Sequence, residues 1–340
     1  MTATLLGSAI PLHEAFDAAL VDLDGVTYRG PEVVPSAPAA LEAARTAGMR
    51  LVYVTNNASR TSEDVASHLT KVGIPAAPGD VFTAAQAAAA MLADRYAPRT
   101  GTAGARILVV GGAGLREAVE ATGLTVVESA ADAPDAVVQG WSPDVGWRQL
   151  AEAAYAVRAG AYFLATNLDL TLPNDHGIAP GNGSLVRAVA TASGVEPESA
   201  GKPEPAMYVR AAERVAAKRP VVVGDRLDTD LGGARAADFP GLLVLTGVSQ
   251  ALDALRAAPG QRPCFIGESI AALGEAHPAP EFRDGWWRVG ASAARVEGGE
   301  LEFSGDRGID RLRAGCVAAW DAADRGERID IEREVEDGLW

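Results

Sequence analysis

The sequence predicts an α/β protein: a doubly wound, Rossmann-like parallel sheet split by an inserted α/β domain and followed by a small C-terminal α+β appendage. Three observations predict it. Short β-branched runs such as Arg50–Thr55 (RLVYVT) end in polar clusters and pass into helix-period segments, the alternation that builds parallel sheets covered by helices. The alternation restarts in a block of its own between about residues 81 and 180 and then resumes the first series, as when one domain is inserted into another. From about residue 280 it stops, giving way to Trp286-Trp287, an alternating stretch around Arg295-Val296-Glu297 and Leu301-Glu302-Phe303, and one helical segment.

Residues 18–22 (AALVD) read as a buried parallel strand whose C-terminal end carries Asp22, Asp24 and Gly25. Pro35 and Pro38 open a helix over 36–48, and Gly48 stops it. The second strand, 50–55, ends in Asn56, Asn57, Ala58, Ser59 and Arg60, after which Thr61 or Ser62 caps a helix running to Gly73. Within the inserted block the pattern predicts a helix over 84–95, a Pro/Thr/Gly linker over 98–104, strands over 106–110, 136–139 and 162–165, and helices over 115–121 and 147–159. After Gly181 and Gly183 come a helix over 184–193, a lysine loop, a helix over 206–217 and strands over 220–224 and 242–245. The expected organisation is therefore a core of 1–80 and 181–275, an inserted domain of 81–180 and an appendage of 280–340, with Trp286 and Trp287 anchoring the appendage on the core.

The chain has 340 residues, 48% of them hydrophobic and 22% charged, which excludes disorder and a small disulfide-stapled fold. A formal charge of −15 repels nucleic-acid backbones and anionic lipid, and no run of about 18 residues lacks polar breaks. Neither nucleic acid nor a membrane is an expected partner. Cys264 and Cys316 lack CxxC spacing and a nearby histidine, so both read as packing residues in a reducing compartment, and the expected location is cytoplasmic. Only Lys71, Lys202 and Lys218 can offer an ammonium group.

Asp22 and Asp24 stand two apart at a strand end, so both carboxylates can face the crevice beyond the sheet. One ionised carboxylate can attack phosphorus while the other protonates the leaving oxygen and later deprotonates water; the same residue types also make an ordinary solvated turn. Asp225, Asp228 and Asp230 follow another strand. Hard oxygen donors on strand tips are what Mg²⁺ requires. Asp225 is the best ligand candidate, Asp230 suits a supporting role, and Asp228 is open between such a role and that of a loop acid. Thr55, Asn56 and Asn57 offer a hydroxyl, amides and backbone N–H groups to phosphate, and Lys202 in Gly201-Lys202-Pro203 offers positive charge on a restricted loop. Gly111-Gly112-Ala113-Gly114 lacks the full dinucleotide spacing and reads as a strand-to-helix turn.

The ordered segments Asp22-Leu23-Asp24-Gly25-Val26, Val54-Thr55-Asn56-Asn57, Gly201-Lys202-Pro203 and Gly224-Asp225-Arg226-Leu227-Asp228-Thr229-Asp230 resemble the haloacid dehalogenase (HAD) superfamily. The resemblance spans about residues 14 to 270 and is strongest to the NagD and p-nitrophenyl phosphatase branch. It implies a HAD core with a C2-type cap between the threonine and lysine motifs. It also implies Asp22 as nucleophile and Mg²⁺ ligand, Asp24 as acid/base with its backbone carbonyl on the metal, and Asp225 as third ligand. Thr55, Asn56 and Lys202 would hold the phosphoryl group. Ala165-Thr166-Asn167-Leu168-Asp169-Leu170-Thr171 resembles the specificity loop of the cap, making Asn167, Asp169, Leu170 and Thr171 candidate substrate contacts. Leu170 and Thr171 stand where pyridoxal-phosphate enzymes carry a histidine, which argues against that substrate; His176 reads as a surface residue. The appendage is similar to that of the extended actinobacterial glycerol 3-phosphate phosphatases. This implies hydrolysis of glycerol 3-phosphate in the recycling of phospholipid head groups, with phosphoglycolate or a sugar phosphate as alternative. A phosphometabolite sensor without turnover is the alternative of another class, and family caps imply a possible homodimer.

Overall fold

The structure is a computed structural model that describes residues 5–96, 104–174 and 176–330. All but Gly104 of the expected 98–104 linker, and the ends of the expected outer domains at 1–4 and 331–340, lie outside the described residues. The chain divides into two compact units, Met1–Val52 with Ala212–Trp340, and Tyr53–Ala211.

In the first unit, Phe265–Gly267, Gly241–Val244, Pro220–Gly224 and Ala18–Val21 lie side by side in that order, all parallel. Every residue of these strands is buried, which explains why they read as unbroken apolar runs. Glu281–Arg283, Trp286–Val289, Ser292–Glu297 and Glu300–Gly305 form an antiparallel meander, followed by the helix Ile309–Asp324. The helix residues Leu312, Cys316, Val317 and Trp320 share one apolar cluster with Leu243, Leu255 and Ile266, so the appendage completes the core of this unit.

Two buried arginines fasten that helix. Arg262 donates to both carboxylate oxygens of Asp324 at 2.7 and 2.9 Å, and Arg313 donates to the carbonyl of Ile266 and to Nδ1 of His277 at 3.1 Å. Trp320 donates from Nε1 to the carbonyl of Ala254 at 2.9 Å. The expected anchoring by tryptophans holds for Trp287, which packs on the cluster and donates to Asp321, whereas Trp286 lies under the Arg295 guanidinium.

In the second unit, Glu198–Ser199, Tyr162–Ala165, Ala136–Gln139, Arg106–Val110 and Thr125–Val127 form a parallel five-stranded sheet in that order. The strand Arg50–Thr55 crosses the junction between units, and its end pairs in parallel with Val81–Thr83. Thr61 caps Ser62–Lys71 by accepting from the backbone N–H of Asp64 at 3.1 Å. The two compact units meet along the chain at 52/53 and 211/212. The helix Asn182–Ser193 lies in the second unit. Its Val186, Val189 and Ala190 join Val137, Ala153 and Phe163 of the five-stranded sheet and its covering helix in one cluster, and Glu198–Ser199 pairs with Tyr162–Ala165. An apolar stripe at i, i+3, i+4 specifies a helix that must be covered, but it does not specify which sheet covers it.

Candidate active site

In the first unit, the buried strand Ala18–Val21 is continued by the Asp22 N–H, which donates to the carbonyl of Val223 at 2.9 Å. The chain then turns sharply. The Leu23 carbonyl accepts from the Thr27 N–H and hydroxyl, both at 2.8 Å, and Gly25 takes φ +88°, a conformation that L side chains resist. On the neighbouring strand Pro220–Gly224, the next residue is Asp225, and Asp230 follows within one turn of π-helix, Leu227–Leu231.

Carboxylate oxygens of Asp22, Asp225 and Asp230 all lie within 4.8 Å of one another, and Asp225 and Asp230 are each only 1% exposed. Buried like charges at this spacing are costly unless a cation neutralises them. An all-oxygen donor set at the ends of parallel strands fits a hard divalent ion of the Mg²⁺ type. Asp230 thus stands in the cluster itself, a more direct position than the supporting one expected, while Asp24 is exposed beside it in sequence. Partial burial would raise the Asp228 carboxyl, but its paired hydrogen bonds to Arg226 at 3.1 and 2.8 Å outweigh this and hold it below the usual range. Asp228 is exposed in this ion pair, and the carboxylate cluster is made by Asp22, Asp225 and Asp230.

The cradle of Asp225 was not foreseen from the sequence. The Val248 N–H donates to Oδ2 at 2.7 Å, the Ser249 N–H donates to the Asp225 carbonyl at 3.0 Å, and Ser249 Oγ accepts from the Leu227 N–H at 3.1 Å. Thr246 Oγ1 donates to the Gly25 carbonyl at 2.5 Å. The available signal was position, since Thr246-Gly247-Val248-Ser249 follows the strand Gly241–Val244 at the same end of the parallel series.

The second unit assembles the phosphate-binding candidates. Thr55 ends its strand with Oγ1 accepting from the Asn57 N–H at 3.1 Å, and Asn57 turns its own amide oxygen to Ser59. The Asn56 amide grips the backbone of Lys202 on both sides: Oδ1 accepts from the Lys202 N–H at 2.8 Å and Nδ2 donates to the Lys202 carbonyl at 3.2 Å. Asn56 therefore spends its side chain on the lysine loop. Lys202 is 3% exposed, with Nζ 5.8 Å from the centre of the Tyr208 ring. Gly201 is needed for this approach, since a Cβ there would lie 2.5 Å from the Thr166 carbonyl and 2.7 Å from Asn56 Oδ1.

The four expected specificity residues divide. Asn167 and Asp169 join the Asn56 network, through Asn167 Nδ2 to the Asn56 carbonyl at 2.8 Å and Asn56 Nδ2 to Asp169 Oδ2 at 3.1 Å. Leu170 and Thr171 are exposed at the start of the hairpin Thr171–Asn174 and Gly177–Pro180, and His176 is exposed at its turn.

Comparison with known proteins gives matches to two family models, haloacid dehalogenase-like hydrolase over residues 19–125 and HAD-hydrolase-like over residues 199–273. The chain is 45% identical over 318 residues to a D-glycerol 3-phosphate phosphatase of Mycobacterium tuberculosis, covering 92% of this chain and 88% of that protein. It is 35% identical over 236 residues to an acid sugar phosphatase of Staphylococcus aureus, covering 69% of this chain and 88% of that protein. A crystal structure of a glycerol phosphate phosphatase from M. tuberculosis with magnesium is similar at TM-score 0.83 and 42% identity, over 96% of this chain and 97% of that one. A thermostable NPPase from Geobacillus stearothermophilus is similar at TM-score 0.68 and 31% identity, over 75% of this chain and 97% of that one.

Proposed function

The chain belongs to the haloacid dehalogenase-like hydrolases, and from that premise we propose that it hydrolyses glycerol 3-phosphate to glycerol and inorganic phosphate with the aid of Mg²⁺. The observation that carries the chemistry is the convergence of Asp22, Asp225 and Asp230 within 4.8 Å at the ends of parallel strands. What supports the substrate is extent. The glycerol 3-phosphate phosphatase matches 318 residues, whereas the acid sugar phosphatase matches 236.

The reaction balances with two aspartates. A carboxylate oxygen of Asp22 attacks phosphorus, the bond from phosphorus to the glycerol oxygen breaks, and Asp24 gives its proton to that oxygen. Asp24 then takes a proton from water as the water oxygen attacks the aspartyl-phosphate. The bond to Asp22 breaks, and phosphate leaves. Asp225 and Asp230, with Asp22, would hold the metal, which supplies positive charge against the developing negative charge on the phosphoryl oxygens. Lys202 supplies a second, fixed positive charge, and Thr55 a hydroxyl donor. Asn56 acts by fixing the backbone of Lys202. The reduced, buried Cys264 and Cys316 are in keeping with a cytoplasmic setting, and among the described residues no helix is long and apolar enough to cross a membrane.

The test is a ranking of kcat/KM across glycerol 3-phosphate, 2-phosphoglycolate and sugar phosphates. The reading predicts glycerol 3-phosphate first by tenfold or more; a sugar phosphate or phosphoglycolate in that place keeps the chemistry and replaces the substrate.

A further inference from the structure

Asn182 opens the helix Asn182–Ser193 and is 2% exposed. Its Nδ2 donates to the carbonyl of Asn167 at 2.8 Å and to that of Gln139 at 3.3 Å, and its Oδ1 accepts from no group among the described residues. The side chain therefore acts as a two-armed donor. The glycines on either side let the chain come close enough for this. A Cβ on Gly181 would lie 2.3 Å from the Asp169 carbonyl, and one on Gly183 would lie 2.2 Å from that of Leu168.

Asn167, whose carbonyl Asn182 holds, passes the constraint on. Its Nδ2 donates to the Asn56 carbonyl at 2.8 Å and its Oδ1 accepts from the Asp169 N–H at 3.2 Å. Asn56 in turn holds the Lys202 N–H and carbonyl at 2.8 and 3.2 Å and the Asp169 carboxylate at 3.1 Å. Asn182, Asn167, Asn56 and Lys202 thus stand one hydrogen bond apart in series, and none of the four is exposed. Away from water such bonds hold their geometry firmly, and a missing donor leaves a buried carbonyl to reorient.

We propose that Asn182 is a positioning residue for Lys202, acting through Asn167 and Asn56 to set how tightly the phosphoryl group is held. It rests on the reading of Lys202 as the cation that holds phosphate. A phosphoryl-binding ammonium displaced by a fraction of an ångström loses much of its effect on the reaction. Asn182 sets that placement through the two residues, Asn167 and Asn56, that stand between it and the lysine in the series.

The experiment is a double-mutant cycle between Asn182→Ala and Lys202→Ala. It reads kcat/KM for the phosphate ester and the inhibition constant of inorganic phosphate. Asn182→Asp, near-isosteric but without the two N–H donors, serves as the second variant and takes over if the alanine variant does not fold. In the Lys202 background, loss of the donors is expected to lower kcat/KM about tenfold and to weaken phosphate inhibition by a similar factor. In the Lys202→Ala background the same change is expected to stay within about twofold, because the group it positions is gone. An equal tenfold loss in both backgrounds, or no loss in the first, overturns the proposal. Unchanged kinetics in Lys202→Ala alone would instead overturn the role of the lysine, and the proposal with it.

Discussion

A Cβ placed on Gly25 would lie 2.4 Å from Oδ2 of Asp225, although the two residues are two hundred positions apart in sequence. Gly247 closes on the same carboxylate from its own loop, where a Cβ would lie 2.0 Å from Oδ2. The Asp225 carboxylate is therefore held between two backbone segments that only glycine admits. The φ of +88° at Gly25 adds a conformational penalty to the clash. Gly25→Ala is expected to displace Asp225, weaken Mg²⁺ binding in a calorimetric titration and lower kcat by roughly 100-fold. A variant with unchanged metal affinity would mean that the segment yields.

Lys202 lies 3% exposed in a space whose backbone is fixed by the Asn56 amide. Its compact ammonium cannot be replaced by a broader, planar guanidinium without moving that frame. Both Lys202→Ala and Lys202→Arg are expected to weaken inhibition by inorganic phosphate by roughly tenfold or more, about 1.4 kcal/mol for each tenfold. Full rescue by arginine would show that charge alone is needed.

His277 carries a pH dependence of stability. Burial lowers its pKa from the ordinary histidine value of about 6.5, and the Arg313 charge works in the same direction, while the Ala272 carbonyl and Asp310 oppose them. Arg313 can only donate to Nδ1, so the neutral ring carries its proton on Nε2 and donates it to the Ala272 carbonyl at 3.0 Å. The unfolded chain therefore binds this proton more readily than the folded one. The stabilisation is present above about pH 6.5 and is lost as pH falls below that through the folded value. Acid unfolding followed by circular dichroism should show a smaller fall in Tm from pH 7.5 to 5.5 in His277→Gln than in the natural protein.

The appendage is expected to be needed for folding. Asp324→Ala would leave the Arg262 guanidinium buried without a carboxylate, held among the described residues by the carbonyls of Ala257 and Trp320 and the Trp320 ring. An uncompensated buried charge costs about 3 kcal/mol, and urea unfolding should show a loss of that order. Removing the chain after residue 280 would also strip Leu312, Cys316, Val317 and Trp320 from the cluster that holds Leu243 and Ile266. Such a protein is expected to be insoluble or to unfold without cooperativity; a truncated chain with the natural Tm would show that the appendage is dispensable.

The carboxylate cluster was legible in the sequence because it sits at strand ends. Asp22, Asp225 and Asp230 follow fully buried runs whose boundaries an apolar pattern marks clearly. Lys202 stood out by the scarcity of lysine and by its glycine and proline neighbours. The role of Asn56 was not legible, because nothing in Thr55-Asn56-Asn57 tells whether an amide points to a ligand or to a backbone 146 residues further along. The cradle at Val248 and Ser249 escaped for a related reason: it works through backbone N–H groups, which every residue type shares. Nor does the stripe of Val186, Val189 and Ala190 reveal that its helix covers the five-stranded sheet, since apolar periodicity names a face and not its partner.

Aspartate-based, metal-assisted hydrolysis is tested by release of inorganic phosphate from glycerol 3-phosphate, with and without Mg²⁺, by the natural protein and by Asp22→Asn. Release is expected to require the metal and to fall at least about 1000-fold in the variant, with the fold unchanged by circular dichroism. Release that continues without metal, or at a comparable rate in Asp22→Asn, would rule out this mechanism.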